Sequence, residues 1–554
     1  MTSQPSILVV GAGPTGLTLA LTLRKNGVPV RVIDRQADFP LVQRGSGLMP
    51  RTLEVFHYLG ALPDMQAIYK LLVPEHHYRP GSLEVEKTIH LHQLVDPTPD
   101  VPYPNPVLLG QGLTQQILRK HLEAFGTTVE TETELREYKQ DAEGVTATLV
   151  KYKGGEETTE TVRLRYLVGT DGGKSIIRKS LGLSFEGKAL NQGIIMGELQ
   201  LEGLDRDHWH RWADWQSPTM ITVIFRPTEI PERFFFLAAG HVDYDALVAD
   251  QDKLLQAMRD FVGRPEIRLG KIVYATVFLP QARVAEKFSV DRVFIAGDAG
   301  HVHGPQGGQG LNTSVQDAFN LGWKLALVEK NLAPPALLDT YSLERQPIAK
   351  RMVQETLGIY KDLLDAVSKG TGSQKSRAEY LKQLGINYRW SALVRDERQP
   401  IDKQQTLDEL DVYGARGGDV LRAGDRAPDA PGLVEVTEGG RVTRLFDVLQ
   451  VTCHTVLVFT RDTAKVQSVV EAVSSMPSGA VAAAVVYPQG SSTTPPATDA
   501  YRVFVDSEAH AYRFFGASAD ATTVFVVRPD GVVGGIVFGE EGVRKYFEGI
   551  FSAA

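Results

Sequence analysis

The 554-residue chain has a single cysteine, Cys453, so neither an intrachain disulfide nor a multi-cysteine metal site can form. It also lacks a basic surplus: 59 Lys and Arg stand against 67 Asp and Glu, a formal net charge of −8. With no long basic run, the electrostatic footprint of a nucleic-acid binder is missing. No stretch reaches the ~18 to 20 uninterrupted apolar residues of a membrane span. The opening "MTSQPSILVVGAGPTG" enters a strand at once, with no space for the charged segment, apolar run and cleavage site of a signal peptide. These absences lead to the expectation of a soluble, cytoplasmic protein with a small-molecule partner, no nucleic acid and no membrane. With 43% hydrophobic residues the chain has ample apolar material, and its length predicts several domains.

What is present is organised around glycine turns. "SILVV", "GAGPTGLTLALTLRKNG" and "VPVRVID" read as strand, turn, amphipathic helix and strand, the βαβ unit that opens a Rossmann-type domain. "YLVGTDGG" and "RVFIAGDAG" are further apolar strands running into glycine turns, each followed by a helical pattern. The expected fold class is therefore α/β, with a discontinuous nucleotide domain at 1–190 and 286–365. Between the two pieces, 191–285 is rich in β-runs and reads as an inserted sheet domain, placed to wall off a second ligand. Residues 366–424 are polar and broken, and predict a helical hairpin with a linker. The order of strands and helices in 425–554 resembles a thioredoxin-like fold. There "RDTA" stands where a redox dithiol would follow the first strand, so packing or dimerisation, giving a homodimer, is its expected role.

Gly11-Ala12-Gly13-Pro14-Thr15-Gly16 fits G-x-G-x-x-G between a strand and a helix, and Asp34 follows in position to accept hydrogen bonds from a ribose. Such a turn brings a pyrophosphate against backbone amides at a helix N-terminus; alone it does not separate FAD from NAD. In the later turns, Asp171-Gly172 precedes Ser175 and Arg178, and Gly297-Asp298 precedes a glycine loop feeding a long helix that Asn312 or Thr313 can cap.

The three turns, in this order, resemble those of the class A FAD monooxygenases, the flavin-dependent aromatic hydroxylases of the p-hydroxybenzoate and phenol hydroxylase type. "RGSGLMPRTLEVF", "GQGLTQQILRKHL", "YSLERQP" and the "AGDRAPD" that precedes the tail extend the resemblance, and the tail places it on the phenol hydroxylase branch. The resemblance implies that Gly11, Gly13, Pro14, Gly16, Asp34 and Arg35 hold the ADP half of FAD, and that Arg44 and Gln111 reach the flavin. It implies that Asp171 and Arg178 serve both FAD and NAD(P)H, that Asp298 binds the ribityl chain, and that the Pro305 carbonyl faces the oxygen-reacting carbon. Gly308, Gly310, Leu311 and Asn312 would lie against the ring, where a helix N-terminus favours an anionic reduced flavin by ~0.3 to 2 kcal/mol. The activity implied is hydroxylation of a phenolic ring by NAD(P)H and O2 through a flavin C4a-hydroperoxide, with NAD(P)H bound transiently. One departure stands out: Ser46 occupies the place where phenol hydroxylases commonly carry an acid that activates the phenol. A larger polyketide-like or quinone-like aromatic is the alternative substrate. A flavin oxidase or dehydrogenase, and a flavin-binding scaffold, are the alternatives of other classes.

Other residues are candidates on chemistry alone. Trp209, Trp212 and Trp215 recur every three residues, as on one helical face, and Trp215 is a candidate substrate contact. Tyr274 and Arg226 are candidates for orienting a phenol and a carboxylate. His303 is a candidate acid or base and His301 a packing residue near the cofactor. Of His76, His77, His90 and His92, the last two would share a strand face; without an acid or cysteine partner, no metal site is expected.

Overall fold

The structure is a computed structural model that describes residues 5–189, 193–304, 306–368, 379–399, 410–414, 420–436, 440–491 and 500–552. The first half supplies β1 (Ile7–Val10), α1 (Pro14–Lys25), β2 (Val30–Ile33), α2 (Pro50–Tyr58), β3 (Glu75–Tyr78), β4 (Lys87–Ile89), α3 (Gln111–Glu123), β5 (Tyr166–Gly169) and α4 (Ile176–Ser180). The chain continues through β6 (Ile194–Glu202), β7 (Trp209–Ala213), β8 (Met220–Pro227), β9 (Arg233–Gly240), α5 (Gln251–Val262), β10 (Arg268–Phe278), β11 (Val293–Ile295), α6 (Gly310–Glu329) and α7 (Asp339–Ser368).

The first sheet carries the parallel order β11-β5-β1-β2, with Ile7 opposite both Tyr166 and Val30, and Leu167 opposite Val293. These four of its six strands are buried almost throughout, as expected of a parallel sheet covered on both faces. Because β1, β5 and β11 are parallel neighbours, the three glycine turns that follow them emerge at one edge. That edge, the carboxyl end of an open α/β sheet, is where such folds bind ligands. Three turns separated by more than 100 residues in sequence thus become neighbours, and α1 and α6 pack together behind them.

The second sheet has seven strands in the order β10-β6-β9-β8-β7-β3-β4. One face packs on α5 through Ile195, Leu199, Phe225, Phe234, Phe236, Leu254 and Met258. The sheet is not confined to 191–285, since β3 and β4 come from the first nucleotide segment and extend it through the parallel β3–β7 pair. Two expectations fail here. Trp209–Ala213 is a strand, so Trp209 and Trp212 point to opposite faces: Trp212 is fully buried in the α5 core, and Trp215 lies in the turn past the strand's end. A three-residue spacing had matched a helix, but pairing on both sides, to β3 and β8, decides for a strand. His90 and His92 share no strand face either: β4 ends at Ile89, His90 is exposed and His92 buried. The partner β3 begins at Glu75 directly after Pro74, so the ladder has no residue to offer beyond Ile89.

The expected helical hairpin at 366–424 is not found among the described residues. There α7 ends at Ser368, Glu379–Lys382 forms one 3-10 turn and Arg395–Asp396 a short strand; 369–378, 400–409 and 415–419 lie outside them.

The C-terminal part contains β12 (His454–Phe459), α8 (Thr463–Ser474), β13 (Val481–Tyr487), β14 (Arg502–Asp506), β15 (Thr523–Val527), β16 (Val533–Val537) and α9 (Gly539–Phe547). Its strands run β16-β15-β12-β13-β14, with β12 parallel to β13, β13 parallel to β14, and the β15–β16 hairpin antiparallel. Asp462 caps α8 by accepting from the Ala464 and Lys465 amides. One apolar cluster runs without a break from β1, α1 and α6 into β12, α8 and α9, so this part shares its core with the nucleotide fold.

Candidate active site

Gly11 and Gly13 differ in what they do. Gly11 has φ of +107°, and a Cβ there would fall 2.4 Å from the Thr170 carbonyl oxygen, so the β1–α1 turn closes on β5 only with glycine. A Cβ on Gly13 would meet nothing within 4 Å, leaving open space in front of α1. Gly13 is the N-cap of α1, Pro14 opens the helix, Gly16 sits in its first turn, and no side chain caps the free amides. Asp34 closes the turn, accepting from Ala12 N at 2.7 Å and from Gln36 N at 2.9 Å, while Arg35 is exposed. Gln115 on α3 donates to the Ala12 carbonyl at 3.0 Å. Arg119, one turn further on, stacks on Phe39 at 4.2 Å. Sequence reading missed both; their signal is an i, i+4 pair on one amphipathic helix.

At the second turn, Asp171 accepts from Ile176 N at 2.8 Å, and its Oδ1 is buried without a partner. Burial pushes the Asp171 carboxyl up. Arg178 is engaged within the protein: it donates to the Ala299 carbonyl at 2.8 Å and the Gly173 carbonyl at 2.9 Å, and stacks on Phe185 at 3.8 Å. It ties the second turn to the third.

The third turn is held from below. His301 Nε2 lies 2.6 Å from Asp317, whose other oxygen accepts from Arg345 Nε at 2.7 Å, and all three side chains are buried. The guanidinium and the imidazole hold the Asp317 carboxyl below its usual range despite burial. Asp298, on the same turn, is exposed; the surrounding protein pushes its carboxyl up, against the pull of His301. His303 Nδ1 lies 2.6 Å from the Gly304 carbonyl, and burial lowers its ionisation to about 4. Its Nε2, without a partner, faces Gly310 at the start of α6.

Pro305 lies outside the described residues. Gly308 precedes the N-cap Gln309, Leu311 is half-buried, and no side chain caps α6, so its first amides are left without a side-chain acceptor. Asn312 is not a cap, contrary to expectation. It is fully buried, accepts from Met49 N at 2.8 Å and donates to the Gly47 and Gly308 carbonyls at 2.8 and 2.7 Å, fastening the 43–49 loop to the glycine loop. Thr313 is buried one residue further in, and the helix starts too early for either to serve. Gln111 is half-buried and donates its backbone N–H to the Gly45 carbonyl at 2.7 Å; Arg44 is exposed on the same loop.

The 43–49 loop leads to the face of the second sheet away from α5. Tyr274, Glu198, Phe235 and Arg226 are direct cross-strand neighbours on β10, β6, β9 and β8, and Trp209 follows on β7. Arg226 is buried, donates to Gln43 Oε1 at 2.9 Å, and lies over the Phe235 and Trp209 rings at 4.9 and 5.6 Å. Glu198 accepts the Gln43 backbone N–H. Burial raises both the Tyr274 hydroxyl and the Glu198 carboxyl above their ordinary values. Tyr274 and Arg226, separate candidates in the sequence, thus share one face, whereas Trp215 does not join them. Glu198 and Gln43 were missed: a lone acid in an apolar strand and a loop glutamine carry no local signal.

Among the described residues, no group of His, Cys, Asp or Glu is arranged to hold a metal ion, and no helix is long and apolar enough to cross a membrane.

Two uncapped helix N-termini at one sheet edge, an acid on the first turn and another on the third, suit an extended dinucleotide with a phosphate end and a ring end. The chain belongs to the FAD-binding-domain family, whose model matches residues 4–356. It is a class A FAD-dependent aromatic hydroxylase, a flavoprotein monooxygenase. A flavin-dependent monooxygenase of Mycobacteroides abscessus is 36% identical over 467 residues, 82% of this chain and 88% of the relative. Pentachlorophenol 4-monooxygenase of Sphingobium chlorophenolicum is 28% identical, over 82% of this chain and 80% of its own. Aklavinone-11 hydroxylase, solved with FAD and aklavinone, superposes with a TM-score of 0.77 over 99% of both chains at 24% identity, so the likeness in fold includes the C-terminal part.

Proposed function

We propose that the protein uses NAD(P)H and O2 to hydroxylate a phenolic aromatic substrate held between the third glycine turn and the second sheet. The observation that supports this most is the loop 43–49. It is bonded to the sheet face through Gln43 and to the glycine loop through Gly47 and Met49, so the face and the ring end of the cofactor site look at one another.

Bound and reduced FAD supplies the electrophilic oxygen. The chain's own residues bind, orient and exclude water. The free amides of α1, with Gly11, Gly13, Pro14, Gly16, Asp34 and Arg35, would hold the ADP half. Asp298 would take the ribityl hydroxyls. The α6 amides at Gly310 and Leu311 would stabilise negative charge on the ring, worth ~0.3 to 2 kcal/mol. His303, kept neutral, leaves that field to the helix. Arg178 acts by fixing the turns, and Asp171 is the residue there with a free oxygen for a ligand. The row from Tyr274 to Trp209 would orient the aromatic ring.

A larger, polyketide-like substrate is favoured by the fold shared with an aklavinone hydroxylase and by Ser46 in place of an acid. The tail reads as thioredoxin-like, since β12-α8-β13 and the β15–β16 hairpin with α9 give the strand order β16-β15-β12-β13. It has one buried cysteine, and packing is its role.

The test is a panel of phenols and hydroxyaromatic ketones, scored for NAD(P)H consumed, ring-hydroxylated product and 18O incorporated from O2. One oxygen atom in product per NAD(P)H is expected. Consumption that yields only H2O2 would overturn the reading.

A further inference from the structure

Four buried polar atoms on the face of the second sheet away from α5 have no hydrogen-bond partner: Tyr274 OH, Glu198 Oε2, Arg226 Nη1 and Trp209 Nε1. They belong to one cross-strand row. A buried polar atom left unpaired costs about 1 to 3 kcal/mol, more for a charged group, so four in one row are a standing penalty that a ligand would remove. Three of the four can donate. Only Glu198 Oε2 can accept alone, and its carboxyl is immobilised, because Oε1 takes the Gln43 backbone N–H. The side chain is fully buried, and Arg233 Nη1 lies 3.9 Å from the free oxygen. The five residues Gln43 to Gly47 tie the face to the Asn312-bound glycine loop and can span at most ~17 Å between them.

We propose that Glu198 Oε2 accepts the hydroxyl proton of the aromatic substrate, and that Arg226 and Tyr274 donate to the oxygen it leaves behind. The inference rests on the phenolic reading above. In the step, the substrate O–H bond breaks and an Oε2–H bond forms; the electron pair stays on the substrate oxygen and enriches the ring, and the proton leaves when product is released. Nothing is oxidised or reduced in it. The acid absent at Ser46 on the loop is supplied from the sheet. The charged and titratable groups facing Glu198 are Arg226 on β8, Arg233 on β9, Tyr274 on β10 and Glu229 after β8; burial and Glu229 raise its carboxyl while the two arginines lower it. A raised carboxyl is the better base for a weak acid.

The test uses the FAD-loaded protein and two probes at about pH 8, a simple phenol that is neutral in solution there and 4-nitrophenol, which is already ionised. With Glu198 taking the hydroxyl proton, Glu198→Gln should lose at least tenfold in kcat on the neutral phenol and little on the ionised one. Glu198→Asp should fall between wild type and Glu198→Gln, and it replaces the glutamine variant if that loses FAD. Equal losses on the two phenols, or no loss on either, overturn the assignment of Glu198 while leaving the phenolic reading intact. A wild type that neither binds either probe nor hydroxylates any phenol of the panel overturns both.

Discussion

Two buried polar clusters in this molecule are built to opposite rules. At the joint between the nucleotide fold and the tail, Arg528 on the β15–β16 turn donates to Glu344 at 2.8 and 3.0 Å and to Asp530 Oδ1 at 3.0 Å. Lys324 and Asn320 on α6 each reach Glu344 at 2.7 Å, and Ser391 reaches its other oxygen at 2.6 Å. Every ion there has a partner, and the cations hold the Glu344 carboxyl well below its usual range. On the sheet face, Glu198 and Arg226 each keep an atom unpaired, and the carboxyl is raised. Paired buried ions fasten two units together; unpaired ones keep contacts in reserve for a ligand.

The comparison breaks first at the joint. Arg528→Met should cost about 3 to 5 kcal/mol, because Glu344 and Asp530 lose their shared cation in the dry interior. Denaturant unfolding of the holoprotein measures it, and FAD release should accompany the loss, since α6 carries Lys324 and begins at the glycine loop proposed to hold the cofactor. A loss below about 1 kcal/mol would show that the joint does not hold the tail.

A smaller effect separates scaffold from site at the first turn. Gly13→Ala should leave the unfolding midpoint of the FAD-free protein unchanged and weaken FAD by tenfold or more, about 1.4 kcal/mol, because its Cβ fills only the space before α1. Asp298→Ala should likewise lower FAD retention. Flavin fluorescence titration reads both, and full occupancy in either variant removes that residue from the cofactor site.

The smallest effect concerns pH. Glu344, held low, contributes stability above its unfolded ionisation that is lost as pH falls through the folded value. Glu198, held high, does the reverse: the native state keeps a proton that the unfolded chain releases, so stability falls as pH rises toward the folded value. Glu198→Gln should therefore match wild type in acid and gain up to about 1 kcal/mol at pH 8. Melting temperatures across pH 5 to 8 report it, and a variant destabilised more at high pH than at low would reverse the sign assigned to Glu198.

The glycine turns were legible because their chemistry is local. Gly11 and Gly13 are set by a strand ending and a helix beginning within six residues, and Asp34 by the length of one βαβ unit. The sheet face was half legible: Tyr274 and Arg226 were named, but not the carboxylate between them. Glu198 is set apart from a solvent-facing strand acid by long-range contacts, among them Gln43, 155 residues away. The tryptophans misled because three-residue spacing on a short segment fits a helix until β3 and β8 pair with it. Asn312 looked like a cap because it stands near a helix start, and its partners Gly47 and Met49 lie more than 260 residues away.

By itself the sequence determined the parallel nucleotide sheet, the FAD family and the three glycine turns, since each follows from contacts within a few residues or one crossover. The tertiary structure decided which polar atoms are paired. Pairing depends on cross-strand register and on loops closing over hundreds of residues, and burial sets its energetic weight only once those surfaces meet.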